Sequence, residues 1–124
     1  MGKAARGTDG RKYPWGDSWE KVNCNSGEND LDRTSPVGIF LWAESPYGCL
    51  DMAGNVWEWC ADWYDDEYYK KSPGKNPPGP ETGSCRVIRG GSWCNGAELC
   101  ATAFRDYDNP AFRVNFLGFR LARS

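Results

Sequence analysis

Glycine and proline punctuate this chain so densely that long regular elements are excluded. The 124 residues contain 15 Gly and 8 Pro, and few uninterrupted helical periods of about ten or more residues survive between them. A helical bundle or a coiled coil needs such periods, so neither is expected. The sequence predicts one loop-rich α+β domain over residues 1–124, in which turns and short strands dominate.

Aromatic side chains supply much of the apolar content. Seven Trp, six Tyr and five Phe predict a small core built largely from rings. The chain contains no His, which removes the usual general base and the commonest metal ligand. Any catalysis would therefore depend on Cys, carboxylates or Tyr.

Charge and hydropathy exclude two classes of partner. The net charge is −2 and the basic residues are scattered, so the continuous basic stripe of a nucleic-acid binder is missing. No apolar run approaches the roughly 20 residues that span a bilayer. The opening MGKAARGTDG lacks the apolar stretch of a secretory signal, so we expect no membrane span, and the compartment is left open.

The six cysteines are many for a small domain, yet no two of them form a CxxC pair. A zinc site is therefore not expected. Disulfides and buried thiols both remain open, because six cysteines allow about 15 pairings that spacing cannot sort.

Three segments predict strands. Residues 35–40 (SPVGIF) predict a short strand, residues 45–64 predict a turn followed by a strand, and residues 86–93 (RVIRGGSW) predict a strand that ends in a Gly pair. A linker rich in Lys, Pro and Gly is expected over residues 70–83. The last third predicts a helical turn over residues 97–104, a loop over residues 106–110 and a terminal strand.

Five motifs carry a family resemblance. They are YPWGD at residues 13–17, SPVGIF at 35–40, YGCLDMAGNVWEW at 47–59, RVIRGGSW at 86–93 and GFRLA at 118–122. In this order and spacing they resemble the formylglycine-generating, or sulfatase-modifying factor, family. The resemblance implies that family's variant of the C-type lectin fold. The KAARG at residues 3–7 resembles the end of the family's first conserved helix, which implies a version truncated at the N-terminus.

The catalytic cysteines of the family match this chain only in part. In its oxidases, two cysteines with four residues between them follow the GGS-aromatic motif, and their thiolates bind copper(I). Cys94 and Cys100 have five residues between them, and a shift of one position redirects a side chain. We therefore expect Cys100 to be a buried scaffold thiol. A copper-dependent oxidase that converts a sulfatase cysteine to formylglycine is kept as the alternative function.

The C-terminal third also resembles the variable proteins of diversity-generating retroelements. It consists of the motif GGSW, then a polar and aromatic stretch, and then the motif GFRLA. In those systems, adenines of a template repeat are copied with errors, so Asn codons become a restricted set of residues that excludes Lys, Glu, Gln, Met and Trp. Within residues 94–117 only Glu98 falls outside that set. The resemblance places Glu98 at a framework position.

The resemblance divides residues 94–117 into three groups. Framework positions would be Ala97, Glu98, Cys100, Ala103, Arg105, Pro110 and Arg113. Unchanged template residues would be Asn95, Asn109 and Asn115. The substituted, ligand-binding positions would be Cys94, Gly96, Leu99, Phe104, Asp106, Tyr107, Asp108, Phe112, Val114 and Phe116.

Residues 112–116 (FRVNF) alternate apolar and polar side chains. The pattern alone is typical of the core side of a last strand. The resemblance instead assigns the core to Phe119 and Leu121 and turns the earlier positions toward a ligand. Exposed rings form the kind of surface that binds proteins. The leading hypothesis is therefore a ligand-binding display module without catalysis, whose unknown ligand is a protein.

Two other interpretations of this surface stay open. A dimer interface through Phe112 and Phe116 would use the same rings. A structural or regulatory lectin-like domain with one fixed partner would differ only in whether the surface varies between relatives.

No cofactor is required by the leading hypothesis, but the resemblance implies a possible calcium site. In metal-binding family members the GNVWE segment supplies ligands, which correspond here to Gly54, Val56 and Glu58. The same segment can instead be scaffold, with Trp57 and Trp59 buried and Glu58 paired to an Arg.

Overall fold

A computed structural model gives the fold and describes residue 5 together with residues 7–65 and 80–121. In these ranges it contains four strands, which are β1 (Trp57–Trp63), β2 (Arg86–Arg89), β3 (Asp106–Asp108) and β4 (Leu117–Gly118). It also contains four short 3-10 helices, at Lys21–Asn23, Gly27–Asn29, Leu41–Ala43 and Ala97–Cys100. The predicted helix end at residues 3–7 and the linker at 70–83 lie largely outside the described residues.

The four strands form one mixed sheet in the order β3-β2-β1-β4. β1 and β2 are antiparallel, with Trp59 opposite Ile88 and a register shift before Trp63. β3 is antiparallel to β2, while β4 runs parallel to β1 with Trp57 opposite Leu117. The last third of the chain therefore supplies both edges of the sheet.

The strands predicted within residues 45–64 and 86–93 are confirmed as β1 and β2. The strand predicted over residues 35–40 is wrong, because a turn at Val37 and Gly38 interrupts it. Gly38 has φ +80° and donates its amide to Asp51 Oδ2 at 2.7 Å. A backbone in the left-handed region cannot continue a strand, and the apolar pattern did not reveal this bend.

The loop predicted over residues 106–110 is also wrong in part, since β3 occupies its first three residues. Asp is a poor strand former, and the pairing with β2 overrides that local preference. The terminal strand is confirmed but is only two residues long. Residues 112–116 precede it as irregular chain, with Phe112 N donating to Asn109 O at 2.9 Å.

The small core contains Cys24, Ala53 and Cys100, with Trp15 and Trp19 packed against it. The indole rings of Trp15 and Trp19 lie 5.9 Å apart, and the ring of Tyr13 stacks on Trp15 at 5.5 Å. Rings therefore enclose thiols and small side chains, in line with the aromatic composition.

The core assignment of Phe119 and Leu121 is wrong, because these side chains are 75% and 91% exposed. Both follow β4, which is an edge strand that ends at Gly118. The described part of the chain leaves them open to solvent. Alternation along the GFRLA motif cannot reveal whether another element covers a strand.

Gly91, which follows β2, packs closely against Leu99 and Cys100. It has φ +69°, and a Cβ there would lie 2.6 Å from Cys100 Sγ and 3.1 Å from Leu99 O. Any side chain at this position would therefore press on the core thiol and on backbone together.

We expect Gly91→Ala to lower the free energy of unfolding by more than about 3 kcal/mol, because steric overlap adds to the cost of positive φ. Gly10→Ala is the matched control, since Gly10 has φ +71° with nothing within 4 Å of its Cβ position. It should lose only about 1–2 kcal/mol. Urea unfolding followed by tryptophan fluorescence measures both, and equal losses would contradict the proposed close packing.

Candidate functional site

The residues that begin the last third are anchored to the scaffold by main-chain hydrogen bonds. Trp93 N donates to Asn55 O at 2.9 Å, and Gly27 N donates to Asn95 O at 2.9 Å. Ser92 is fully buried, and its hydroxyl donates to Asn95 Oδ1 at 2.6 Å. The entry into residues 94–117 is therefore held on two sides.

The middle of the segment is anchored through Thr102, which is 6% exposed. Its amide donates to Lys12 O at 2.8 Å, and its hydroxyl donates to Arg11 O at 2.9 Å. Its carbonyl accepts from Arg89 Nη1 at 2.9 Å. Sequence analysis missed Thr102, because Arg11, which accepts its hydroxyl, lies about 90 positions away along the chain and no local pattern identifies such a partner.

The buried cysteine of this segment faces inward. Cys100 is 0% exposed, as expected for a scaffold thiol, and it lies in the buried core cluster with Cys24. The interaction between the two thiols lowers the pKa of Cys100 and, together with burial, raises the pKa of Cys24. Cys94 is exposed, with its Sγ 3.2 Å from Ser92 Oγ. The two cysteines of the alternative copper site thus lie in different surroundings.

The end of the segment is held by β1. Trp57 N donates to Phe116 O at 2.8 Å, and Leu117 and Gly118 then pair with Trp57 and Glu58. Arg120 follows and forms an ion pair with Glu58. Backbone pairing and one ion pair therefore close the segment.

The ten predicted ligand-binding positions all fall among the described residues, and none of them is buried. Four are exposed, which are Cys94, Gly96, Tyr107 and Phe112. Six are half-buried, which are Leu99, Phe104, Asp106, Asp108, Val114 and Phe116.

Two of these residues line a cleft. Phe112 and Val114 border a space of about 420 Å³ together with Trp59, Leu117 and Phe119. Pro110, Arg113 and Gly118 complete its lining. Phe119 was expected in the core, as was Trp59 if the GNVWE segment is scaffold, and the structure instead places both on the wall of this cleft.

The β3 residues form a second group. Tyr107 stacks on Tyr64 with ring centroids 4.0 Å apart and an interplanar angle of 20°. The carboxylate of Asp106 accepts the Tyr107 amide at 2.8 Å, and that of Asp108 accepts the Asn109 amide at 2.8 Å. Both carboxylates therefore accept hydrogen bonds from the backbone next to them.

Phe104 differs from the other predicted positions because it packs on the scaffold. Its ring lies 6.0 Å from that of Trp57, which is 4% exposed. A residue here contributes to the core beneath the surface as well as to the surface.

The possible calcium site includes a carboxylate that an arginine already binds. Val56 and Glu58 line a separate cleft of about 440 Å³ with Asp51 and Arg120. Both carboxylate oxygens of Glu58 are bound by Arg120, so a dication would have to displace a guanidinium. Across the described ranges no cluster of three or more Cys, Asp or Glu could hold a metal. Calcium binding at this site stays a prediction, and it is one that the ion pair between Arg120 and Glu58 opposes.

Comparison with known proteins identifies the family. Residues 1–124 match the sulfatase-modifying factor enzyme 1-like domain, and the chain belongs to this family. It is 38% identical over 136 residues to the formylglycine-generating enzyme of Streptomyces coelicolor, in a match that covers 96% of this chain and 43% of the enzyme.

Solved structures agree on the fold. Treponema denticola variable protein 1 is 37% identical with a TM-score of 0.79, over 95% of this chain and 41% of that protein. PvdO from Pseudomonas aeruginosa is 27% identical with a TM-score of 0.77, over 95% and 47% respectively. The predicted formylglycine-generating enzyme type of C-type lectin fold is confirmed. The chain spans less than half the length of these relatives.

In the portion of the chain that is described, no helix has the length and apolarity needed to cross a bilayer.

Thr102 provides a test of how the segment is held. We expect Thr102→Val to lower the free energy of unfolding by about 1–3 kcal/mol, because the Arg11 carbonyl loses a buried donor. Thr34→Val, at an exposed position, should change it by less than about 0.5 kcal/mol. Chemical denaturation compares the two, and a neutral Thr102→Val would show that the hydroxyl bond contributes nothing.

Proposed function

We propose that this chain is a ligand-binding display module whose residues 94–117 are diversified at the ten candidate positions. The observation that carries the proposal is the way the segment is held. Its anchoring contacts use main-chain atoms of Asn95, Thr102 and Phe116 and the buried side chains of Cys100 and Thr102. Phe116 is the one candidate position among them, and it contributes only its main-chain carbonyl. Side chains at the candidate positions can then change while the anchoring bonds persist.

The comparisons support the same proposal. A structure that covers 95% of this chain at 37% identity is itself named a variable protein. The restricted residue set of positions 94–117 is consistent with adenine-directed substitution.

The chemistry of the surface favours a protein ligand. Phe112 and Val114 present apolar area beside the half-buried Trp59, and Tyr107 is braced by its stack on Tyr64. Rings that are already held lose little conformational entropy on binding. Exposed rings such as those of Tyr107 and Phe112 are typical anchors of a protein-binding patch.

The genomic neighbourhood tests diversification directly. We expect a second copy of the coding stretch for residues 86–124 close to the gene, accompanied by a reverse-transcriptase gene. The two copies should differ almost only at adenines of the template copy, within codons for the ten candidate positions. Sequencing the surrounding few kilobases measures this, and differences scattered over framework codons would count against the proposal.

Tolerance at the candidate surface is a second test. We expect Val114→Ser to change the free energy of unfolding by less than about 1 kcal/mol, because Val114 is only half-buried in a solvent-open cleft. Val87→Ser is the matched control, since Val87 is 1% exposed and should lose about 3 kcal/mol or more. Urea denaturation gives both values. Similar losses would mean that Val114 belongs to the core.

The relationship to formylglycine-generating enzymes favours one alternative, a copper-dependent oxidase that uses Cys94 and Cys100. That function needs two converging thiolates, whereas Cys100 contacts Cys24 and Cys94 is exposed. Stoichiometric copper(I) binding that is lost in Cys94→Ser, together with oxygen uptake on a cysteine-containing peptide, would establish the oxidase. Neither activity is expected.

A further inference from the structure

Arg120 lies in the cleft that Val56 and Glu58 line, and oxygen atoms bind its guanidinium there. Its Nη1 donates to Leu50 O at 2.8 Å, and its Nη2 donates to Asp51 O at 2.8 Å. Its Nε and Nη2 also donate to the two carboxylate oxygens of Glu58, the latter at 2.8 Å. Four oxygens from three residues therefore surround one guanidinium.

These carboxylate and carbonyl oxygens are of the kind that coordinates a hard cation. Carboxylate oxygens and backbone carbonyls are the ligands of calcium in proteins. Glu58 is only 5% exposed, and a buried carboxylate needs a positive partner because desolvation of an unpaired charge is costly. Arg120 supplies that charge, and its planar fork matches a carboxylate in two-point geometry.

A calcium ion and Arg120 cannot share these oxygens. Both would need the carboxylate of Glu58, and each would repel the other at contact distance in a partly buried site. The hydrogen bond to Glu58 raises the pKa of Arg120, so the guanidinium stays charged throughout the ordinary pH range.

We propose that Arg120 is the resident cation of this cleft and takes the place of a calcium ion, so that the domain folds without metal. The arginine also joins the chain beyond β4 to β1 and to the loop at Leu50 and Asp51. It thereby fixes the chain that follows residues 94–117 with a side chain, which, unlike a bound ion, cannot dissociate from the protein. This inference does not depend on the proposed function.

The experiment measures thermal unfolding of the whole chain under two conditions. One sample contains CaCl2 and the other contains EGTA, each at about 5 mM. The wild-type midpoint should be the same in both. Arg120→Gln should lower the midpoint by about 10 °C or more, because it leaves the Glu58 carboxylate buried without a counter-charge. Arg33→Gln, at an exposed position, is the matched control and should leave the midpoint unchanged.

A double variant separates charge pairing from general damage. Arg120→Gln combined with Glu58→Gln removes both charges, so it should regain a large part of the midpoint lost in Arg120→Gln alone. Glu58→Gln alone completes the comparison. If the loss of midpoint in the double variant equals the sum of the losses in Arg120→Gln and Glu58→Gln, the ion pair is not the source of the effect and the inference fails.

Calcium titration of the wild-type chain by calorimetry decides the question even if Arg120→Gln does not fold. No binding heat is the expected result. Stoichiometric calcium binding, or a wild-type midpoint that rises in CaCl2, would overturn the inference.

Discussion

The amide of Trp57 donates to the carbonyl of Phe116, and this bond begins the pairing of β4 with β1 on which the C-terminal arrangement depends. Once Leu117 and Gly118 pair with β1, Arg120 is brought over Glu58, and the cleft beside Phe112 acquires its wall. The sheet thus receives both edge strands from the last third of the chain. The segment between those edges has its ends positioned by scaffold backbone, so its surface side chains need not carry the fold.

Within residues 94–117, the inward-facing and the outward-facing side chains have different roles in packing. Interior positions of the segment are occupied by Cys100 and Thr102, which contact Cys24 and the chain at Arg11 and Lys12. Positions that face outward contribute little to those contacts, so their chemistry is free to serve recognition. Phe104 is intermediate because its ring rests on Trp57, and substitution there would affect both the surface and the core.

Family membership does not assign an activity to this chain, and the contacts of the cysteines and of Glu58 bear on that question. The scaffold is shared with formylglycine-generating enzymes and with a variable protein, so the fold alone assigns neither activity. In this chain the buried thiol contacts another buried thiol, and the buried carboxylate contacts an arginine. Both contacts satisfy groups that could otherwise hold a metal.

Much of this protein was determined by the sequence itself. The density of Gly and Pro predicted short elements, β1 and β2 followed from local alternation, and the ordered motifs indicated the C-type lectin fold. Only the tertiary structure decided that β3 forms at Asp106, that Phe119 lines a cleft, and that Thr102 anchors the chain. The physical reason is that burial and pairing depend on partners distant in sequence, whereas turn chemistry and side-chain periodicity are local.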